Sequence, residues 1–303
     1  MRKLQGTIYV IAAATFFGFM PIWVKLAYVT GLQAFDFIFL RSLIAAVMLG
    51  IFIFYRKISF HVKRKQIGPM LLSGFLFTAT ILTLYLSYKE ISAGMATSLH
   101  YLFPVLVMLL TYFIYKETMQ LYKWVALFIS LTGIYLIVNP GGSHFSFKGI
   151  SLAILSAVFF AGYVVTLNHP QVKKMNSLVL AFYFCLIAAV ISIALLVFQG
   201  NWPIVVTWKG MYYAALVGFF CTALGLIFFI KGAQTIGSTN ASILSTLEPV
   251  VSLIAGVIIL HEPLFWNTLW GCIMIIAAVI LVGYEGMKKE SRTLKNMMQK
   301  NRI

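Results

Sequence analysis

From residue 4 to residue 284 the chain is a series of long apolar runs joined by short polar segments, and few folds can accommodate that pattern. A transmembrane helix needs roughly 20 predominantly apolar residues to cross a hydrocarbon core about 30 Å thick. The charge-free stretches 4–24, 66–88, 91–115, 149–172 and 263–284 each reach that length alone. Only 10% of the residues are charged against 61% hydrophobic, with a mean hydropathy of +0.96, too few charges to coat a soluble body of 303 residues. The runs are continuously apolar rather than alternating, which argues against a barrel. The chain reads as an all-α, polytopic membrane protein.

Ten transmembrane helices account for the runs, near 7–28, 34–55, 67–88, 93–115, 122–138, 149–168, 177–199, 209–231, 238–260 and 264–284. Gly18, Pro21, Pro104 and Pro249 fall inside them. Within a membrane bundle, neighbouring helices can satisfy the backbone groups that such residues free. Lysine and arginine set the orientation. With both termini cytoplasmic, eighteen of the 23 basic residues lie on the inner side and three, Lys89, Lys148 and Lys209, on the outer; Lys25 and Arg41 lie within spans. The formal charge of +16 is then mostly topogenic and needs no nucleic acid. The basic tail, 285–303, reads as a cytoplasmic segment held near anionic head groups. Met1, Arg2 and Lys3 followed by an apolar run imitate a signal peptide, but the run is long and ends in Lys25, so it is expected to be retained as the first span. Cys185, Cys221 and Cys272 all fall in apolar spans and make neither a disulfide framework nor a metal cluster.

The chain also repeats itself. A shift of 145 positions pairs Ala96 with Ala241, Leu99 with Leu244, Pro104 with Pro249 and Glu117 with Glu262; a shift of 143 pairs Gly6 with Gly149 and Phe16 and Phe17 with Phe159 and Phe160. The proline and glutamate matches carry the weight, because only 8 prolines and 7 acids exist. Five spans per unit is an odd number, so tandem units must insert with opposite orientations. The expected organisation is a first five-helix repeat at 1–138, a linker at 139–148 and a second, inverted repeat at 149–284. Folds of this kind bind substrate near the midplane between repeats and alternate access by rocking one bundle against the other.

With the repeat and the Glu248–Pro249 pair in hand, the sequence resembles the EamA-type branch of the drug/metabolite transporter superfamily. The residues that carry the resemblance are Phe16, Phe17 and Gly18 in span one, Arg41 in span two, the small-residue runs before Pro104 and Pro249, and Glu117 and Glu262 after them. The resemblance implies a secondary carrier of small metabolites, often amino acids. The second half has no counterpart of the two cations: Asn168 falls opposite Lys25, and Tyr183 lies near the place of Arg41.

Glu248 is the one acid near the middle of a span. A charge there costs roughly 2.5–3.5 kcal/mol on insertion scales, and by default it suggests function. Two readings stand: a proton-coupling or substrate-binding carboxylate, or a structural carboxyl serving backbone freed at Pro249. Arg41, with Asp36 and Glu90 at the same outer level, is a candidate outer gate; the alternative is a snorkelling guanidinium paired for packing. Thr97, His100, Tyr101, Ser245 and Thr246 are candidate cavity residues in spans four and nine, with Phe19, Trp23 and Tyr163 from spans one and six. Pro104 and Pro249 are the expected helix bends. For the small residues, close helix packing is the competing explanation.

The functional expectation is a secondary active transporter of a small metabolite, amino acids or related compounds, working by alternating access, with efflux preferred over uptake. The alternative is a carrier of quaternary ammonium or other organic cations. An intramembrane enzyme finds no HExxH or Gly-x-Ser-Gly motif, and a single aspartate, Asp36, excludes an aspartate pair. A channel ring finds no support in an antiparallel duplicated bundle. The expected partners are a small-molecule substrate, the lipid bilayer and protons as the candidate coupling ion; neither cofactor nor metal is called for. The expected location is the cell (cytoplasmic) membrane, as a monomer or homodimer.

Overall fold

A computed structural model describes residues 2–87, 90–91, 96, 99–116, 120–137, 146–260, 266–267 and 269–282. Among them every regular element is a helix: α1 (Arg2–Val29), α2 (Ala34–Tyr55), α3 (Arg64–Ser87), α4 (Phe103–Tyr115), α5 (Leu121–Ile137), α6 (Phe147–Thr166), α7 (Ser177–Phe198), α8 (Trp208–Ile236), α9 (Ser238–Ile259) and α10 (Leu269–Val282), with a single turn at Pro170–Lys173 before α7. Seven of these (α1, α2, α3, α6, α7, α8 and α9) are long and apolar enough to cross a membrane. Over their described residues α4, α5 and α10 are shorter apolar helices. The chain is a multi-pass, all-helical membrane protein.

The polar ends of the helices stop where side chains can take up free backbone donors. Asp36 accepts from the Gln33 amide at 3.2 Å at the head of α2, Asn176 from Leu178 at 2.9 Å before α7, and Thr207 from Gly210 at 3.1 Å before α8. Inside α3, Ser73, Thr78, Thr80 and Thr83 turn their hydroxyls onto carbonyls four residues back at 2.7–2.8 Å. That bonding lets hydroxyl residues sit in an apolar span without an unmet donor. Between α8 and α9 the chain reverses through Gly237 alone, at φ +86°, a conformation that a side chain would oppose.

Small residues set the helix spacing. A Cβ on Gly232 of α8 would lie 2.4 Å from a Val10 methyl and 3.0 Å from the Gly6 carbonyl of α1; a Cβ on Gly133 of α5 would lie 2.7 Å from the Gly271 carbonyl of α10. Lipid gives helices no hydrophobic reason to associate, so such close backbone approach and the dispersion it allows hold the bundle. The packing pairs are α1 with α8 and α9, α6 with α3 and α4, and α2 with α7. Phe54, Phe113, Phe198 and Ile280 are exposed, as lipid-facing positions require.

Candidate functional site

Pro21 lies inside α1, where it removes one ladder hydrogen bond and loosens the carbonyls of the preceding turn. Neighbouring helices supply donors to that turn. The Cys221 thiol of α8 donates to the Phe16 carbonyl at 3.0 Å, and the Ser252 hydroxyl of α9 donates to the Gly18 carbonyl at 2.7 Å. Gly18 itself must lack a side chain, since a Cβ would lie 2.9 Å from the Glu248 carbonyl and 2.6 Å from Val251. This turn of α1 is therefore the seat on which α8 and α9 rest.

Both of those helices are irregular at this level. In α8, residues Val217–Leu224 form a π-helix, in which the Thr222 hydroxyl reaches back five residues to the Val217 carbonyl at 3.0 Å. Such wide turns inside α-helices recur at functional sites. Its Gly218 packs against the Arg41 carbonyl of α2, at 3.0 Å from where a Cβ would stand. In α9, a 3₁₀ turn at Ser245–Leu247 gives way to α-helix at Glu248, with Pro249 next. Pro104 holds the same place in α4, second in the helix after an irregular turn. At both positions the missing proline N–H falls in a first turn, where it has no intrahelical acceptor to serve.

Glu248 and Tyr101 meet: the phenol donates a hydrogen bond to the carboxylate. Tyr101 is 3% exposed, and its ring neighbours are His100 and Phe103 at 6.0 and 5.8 Å. His100 Nδ1 lies 3.0 Å from the Ser156 hydroxyl of α6. That hydroxyl donates its own hydrogen to the Ala153 carbonyl at 2.6 Å, so Nδ1 carries the hydrogen and a neutral ring keeps Nε2 as an acceptor. Phe160 packs on His100 at 5.3 Å, joining α6 to the head of α4. The Tyr163 ring is fully buried among Phe77, Phe160, Phe184 and Phe229, and its hydroxyl has no partner among the described residues. Phe19 stacks on Trp23 at 5.8 Å, and Trp23 meets Phe220 of α8 at 6.0 Å.

Arg41 is 3% exposed. Its Nη1 donates to the Met20 sulfur of α1 at 3.1 Å, its guanidinium carbon stands 5.8 Å from the centre of the Tyr85 ring of α3, and its Nε has no partner among the described residues. The structure does not bring it to the acids with which the sequence grouped it. Asp36 is occupied in capping α2, and Glu90 forms an ion pair with Lys148 at 2.7 Å and accepts from Ser146. The Lys148 hydrogen bond holds the Glu90 carboxyl below its ordinary range. Among the described residues Arg41 forms no ion pair with Glu248 either.

Ser245 and Thr246 donate to carbonyls three residues back, at 2.8 and 2.6 Å, and Thr246 also reaches the Ser130 hydroxyl of α5 at 3.4 Å. Those contacts serve helix packing. Thr97, Glu117 and Glu262 lie outside the described residues. Sequence reasoning did not single out Met20, Tyr85, Ser156 or Ser252, which have ordinary neighbours in the chain and acquire a role only across helices.

The model of the EamA-like transporter family matches the chain twice, over residues 4–139 and 147–284. An uncharacterized transporter of Bacillus subtilis, YvbV, is 27% identical over 84% of each chain. An S-adenosylmethionine uptake transporter of Rickettsia felis is 27% identical over 87% of each chain. One solved crystal structure superposes with a TM-score of 0.81 over 94% of this chain and 98% of its own, at 15% identity, which speaks to the fold alone. A family match over nearly the whole of both halves, on an all-helical bundle that spans a membrane, places the chain in the EamA-like transporter family.

Proposed function

We propose that this transporter is a secondary active carrier of a small metabolite, an amino acid or a related compound, built as two inverted five-helix repeats and working by alternating access. Both termini are cytoplasmic, the membrane is the cell membrane, and efflux is the preferred direction. The observation that carries the reading is the Tyr101–Glu248 hydrogen bond, a polar contact within the membrane between a helix of the first half and one of the second. A contact of that kind can be made in one state and broken in another when the halves rock.

Three further observations favour a duplicated bundle. The same family model matches each half. Exchanging the halves converts the α1–α8 pairing into α6–α3, and α1–α9 into α6–α4, both of which occur. Gly6 of α1 abuts Thr235 and Ile236, and Gly149 of α6 abuts Glu90 and Ile91, so each equivalent glycine meets residues shifted by 145.

The organic-cation alternative draws on the Rickettsia relative, because S-adenosylmethionine is an amino acid that also carries a sulfonium cation. Clustered rings such as Phe19, Trp23 and Phe220 suit a cation by their π faces. That relative is named for uptake, which is the opposite of the direction proposed here.

Protons are the proposed coupling ion and Glu248 the proposed coupling group. Purified wild type and Glu248→Gln are compared in proteoliposomes carrying an imposed pH gradient. The wild-type flux should follow the gradient, and Glu248→Gln should exchange solute without responding to it. An unchanged response in Glu248→Gln removes Glu248 from coupling.

A further inference from the structure

Arg41 is a permanent charge in a poor setting. An arginine does not deprotonate in proteins, and its guanidinium carries five N–H donors. Here one donor group meets a thioether, a weak acceptor, one face meets a tyrosine ring, and Nε is buried with nothing to donate to among the described residues. A buried charge without a counter-charge costs several kcal/mol unless additional bonds compensate it. Four helices arrange this setting: α2 brings Arg41, α1 brings Met20, α3 brings Tyr85, and the π-helical turn of α8 brings Gly218 against the Arg41 backbone. Packing for its own sake would favour an apolar residue, or an acid within reach. Asp36 and Glu90 are committed elsewhere.

We infer that Arg41 is the carboxylate receptor of the transport site, and that a zwitterionic solute binds with its carboxylate on the Nε edge of Arg41 and its ammonium group toward Glu248. The inference rests on the transporter reading above. A carboxylate matches the planar fork of a guanidinium and would take up Nε–H and the Nη2 group beside it, leaving Nη1 on the Met20 sulfur. The charge count of the cluster favours a zwitterion over a phosphate ester. Arg41 and Glu248 offer one cation and one acid, and a dianion would leave charge uncompensated in a membrane interior. One turn of α1 adjoins both residues, Met20 meeting the Arg41 guanidinium and Gly18 the Glu248 backbone, so the two ends of one small molecule can be served without an ion pair between the residues themselves. The Met20 turn of α1 also carries Phe19 and Trp23, which gives an apolar side chain a neighbouring surface.

The test measures the affinity of the purified full-length protein in lipid nanodiscs, by thermal stabilisation. The probes are L-phenylalanine and L-leucine, their methyl esters and their N-acetyl derivatives. The wild type should bind the free amino acids at least about tenfold more tightly than either derivative. Arg41→Gln should lose the discrimination against the ester and keep that against the N-acetyl compound; Arg41→Lys should restore part of it. Glu248→Gln should show the converse pattern. Because the readout is a ratio within one variant, a general loss of stability does not imitate it. Unaltered ester discrimination in Arg41→Gln overturns the inference. So does failure of every amino acid to protect the wild type; counterflow of a different solute in the same preparation would then leave the transporter reading standing, while its absence as well would remove both.

Discussion

Replacing Tyr163 by phenylalanine should make the protein more stable. The Tyr163 hydroxyl is buried and has no hydrogen-bond partner among the described residues, and the rings of Phe77, Phe160, Phe184 and Phe229 stand 5.3, 5.6, 5.7 and 6.2 Å from its own. A buried polar group left unsatisfied costs about 1–3 kcal/mol. Deleting one oxygen forfeits a few dispersion contacts of about 0.1–0.2 kcal/mol each, which is the smaller quantity. Tyr163→Phe should therefore gain about 1–2 kcal/mol. Domains of 150–250 residues move by roughly 2–4 °C per kcal/mol, and a chain this size should rise by a few degrees at most. The assay is a thermal melt in detergent or nanodiscs, with Tyr163→Ala as a control that should lose about 3–5 kcal/mol through the cavity it opens. A lower midpoint in Tyr163→Phe would refute the dry cage, because it would mean that the hydroxyl has a partner after all. Unchanged transport in the same variant is expected. A loss would place the hydroxyl on the substrate in another state of the cycle.

Gly232→Ala should cost about 1–3 kcal/mol by overpacking, since its Cβ would meet Val10 at 2.4 Å and backbone at 3.0 Å, whereas Gly68→Ala, with nothing within 4 Å, should gain about 0.5–1 kcal/mol. Equal midpoints for the two variants in a thermal melt would contradict that difference. Ser252→Ala removes the interhelical hydrogen bond to the Gly18 carbonyl and should lose about 0.5–1.5 kcal/mol in the same assay. For the Glu90–Lys148 pair the folded state holds the acid below the ordinary value of 4.5, so its contribution is present above that pH and is lost as pH falls through the folded value. Lys148→Met should therefore melt below wild type at neutral pH, and the gap should close in acid; a gap independent of pH would show that the pair contributes nothing by charge.

The bundle was legible in the sequence because the bilayer imposes length and apolarity on each span. Ala34–Tyr55 has the bounds that the apolar run gives it. In one place a charge was taken for an end. The eighth span was expected to stop at Lys231, yet α8 continues to Ile236, with the Lys231 ammonium 4.4 Å from the centre of the Tyr9 ring of α1. A lysine whose long stem lies along the bundle can remain within a helix. The sequence marked Glu248, Tyr101 and Arg41 as costly or bulky polar residues in apolar runs, and that cost is visible without coordinates. Their partners are not. Arg41 was grouped with Asp36 and Glu90 by depth alone, but depth does not say which helix faces which, and the residue that meets it is Met20 across a helix boundary. Nor does anything in the composition of Val217–Leu224 announce a π-helix.

Counterflow in proteoliposomes tests the alternating-access carrier most directly. Vesicles preloaded with millimolar unlabelled amino acid are diluted into a trace of labelled solute, with no ion gradient applied. A carrier that exposes one site to either side in turn should accumulate label transiently above equilibrium, and only when the vesicles are preloaded. Label that merely equilibrates, at a rate indifferent to preloading across the metabolite panel, would contradict the carrier and favour an open pore.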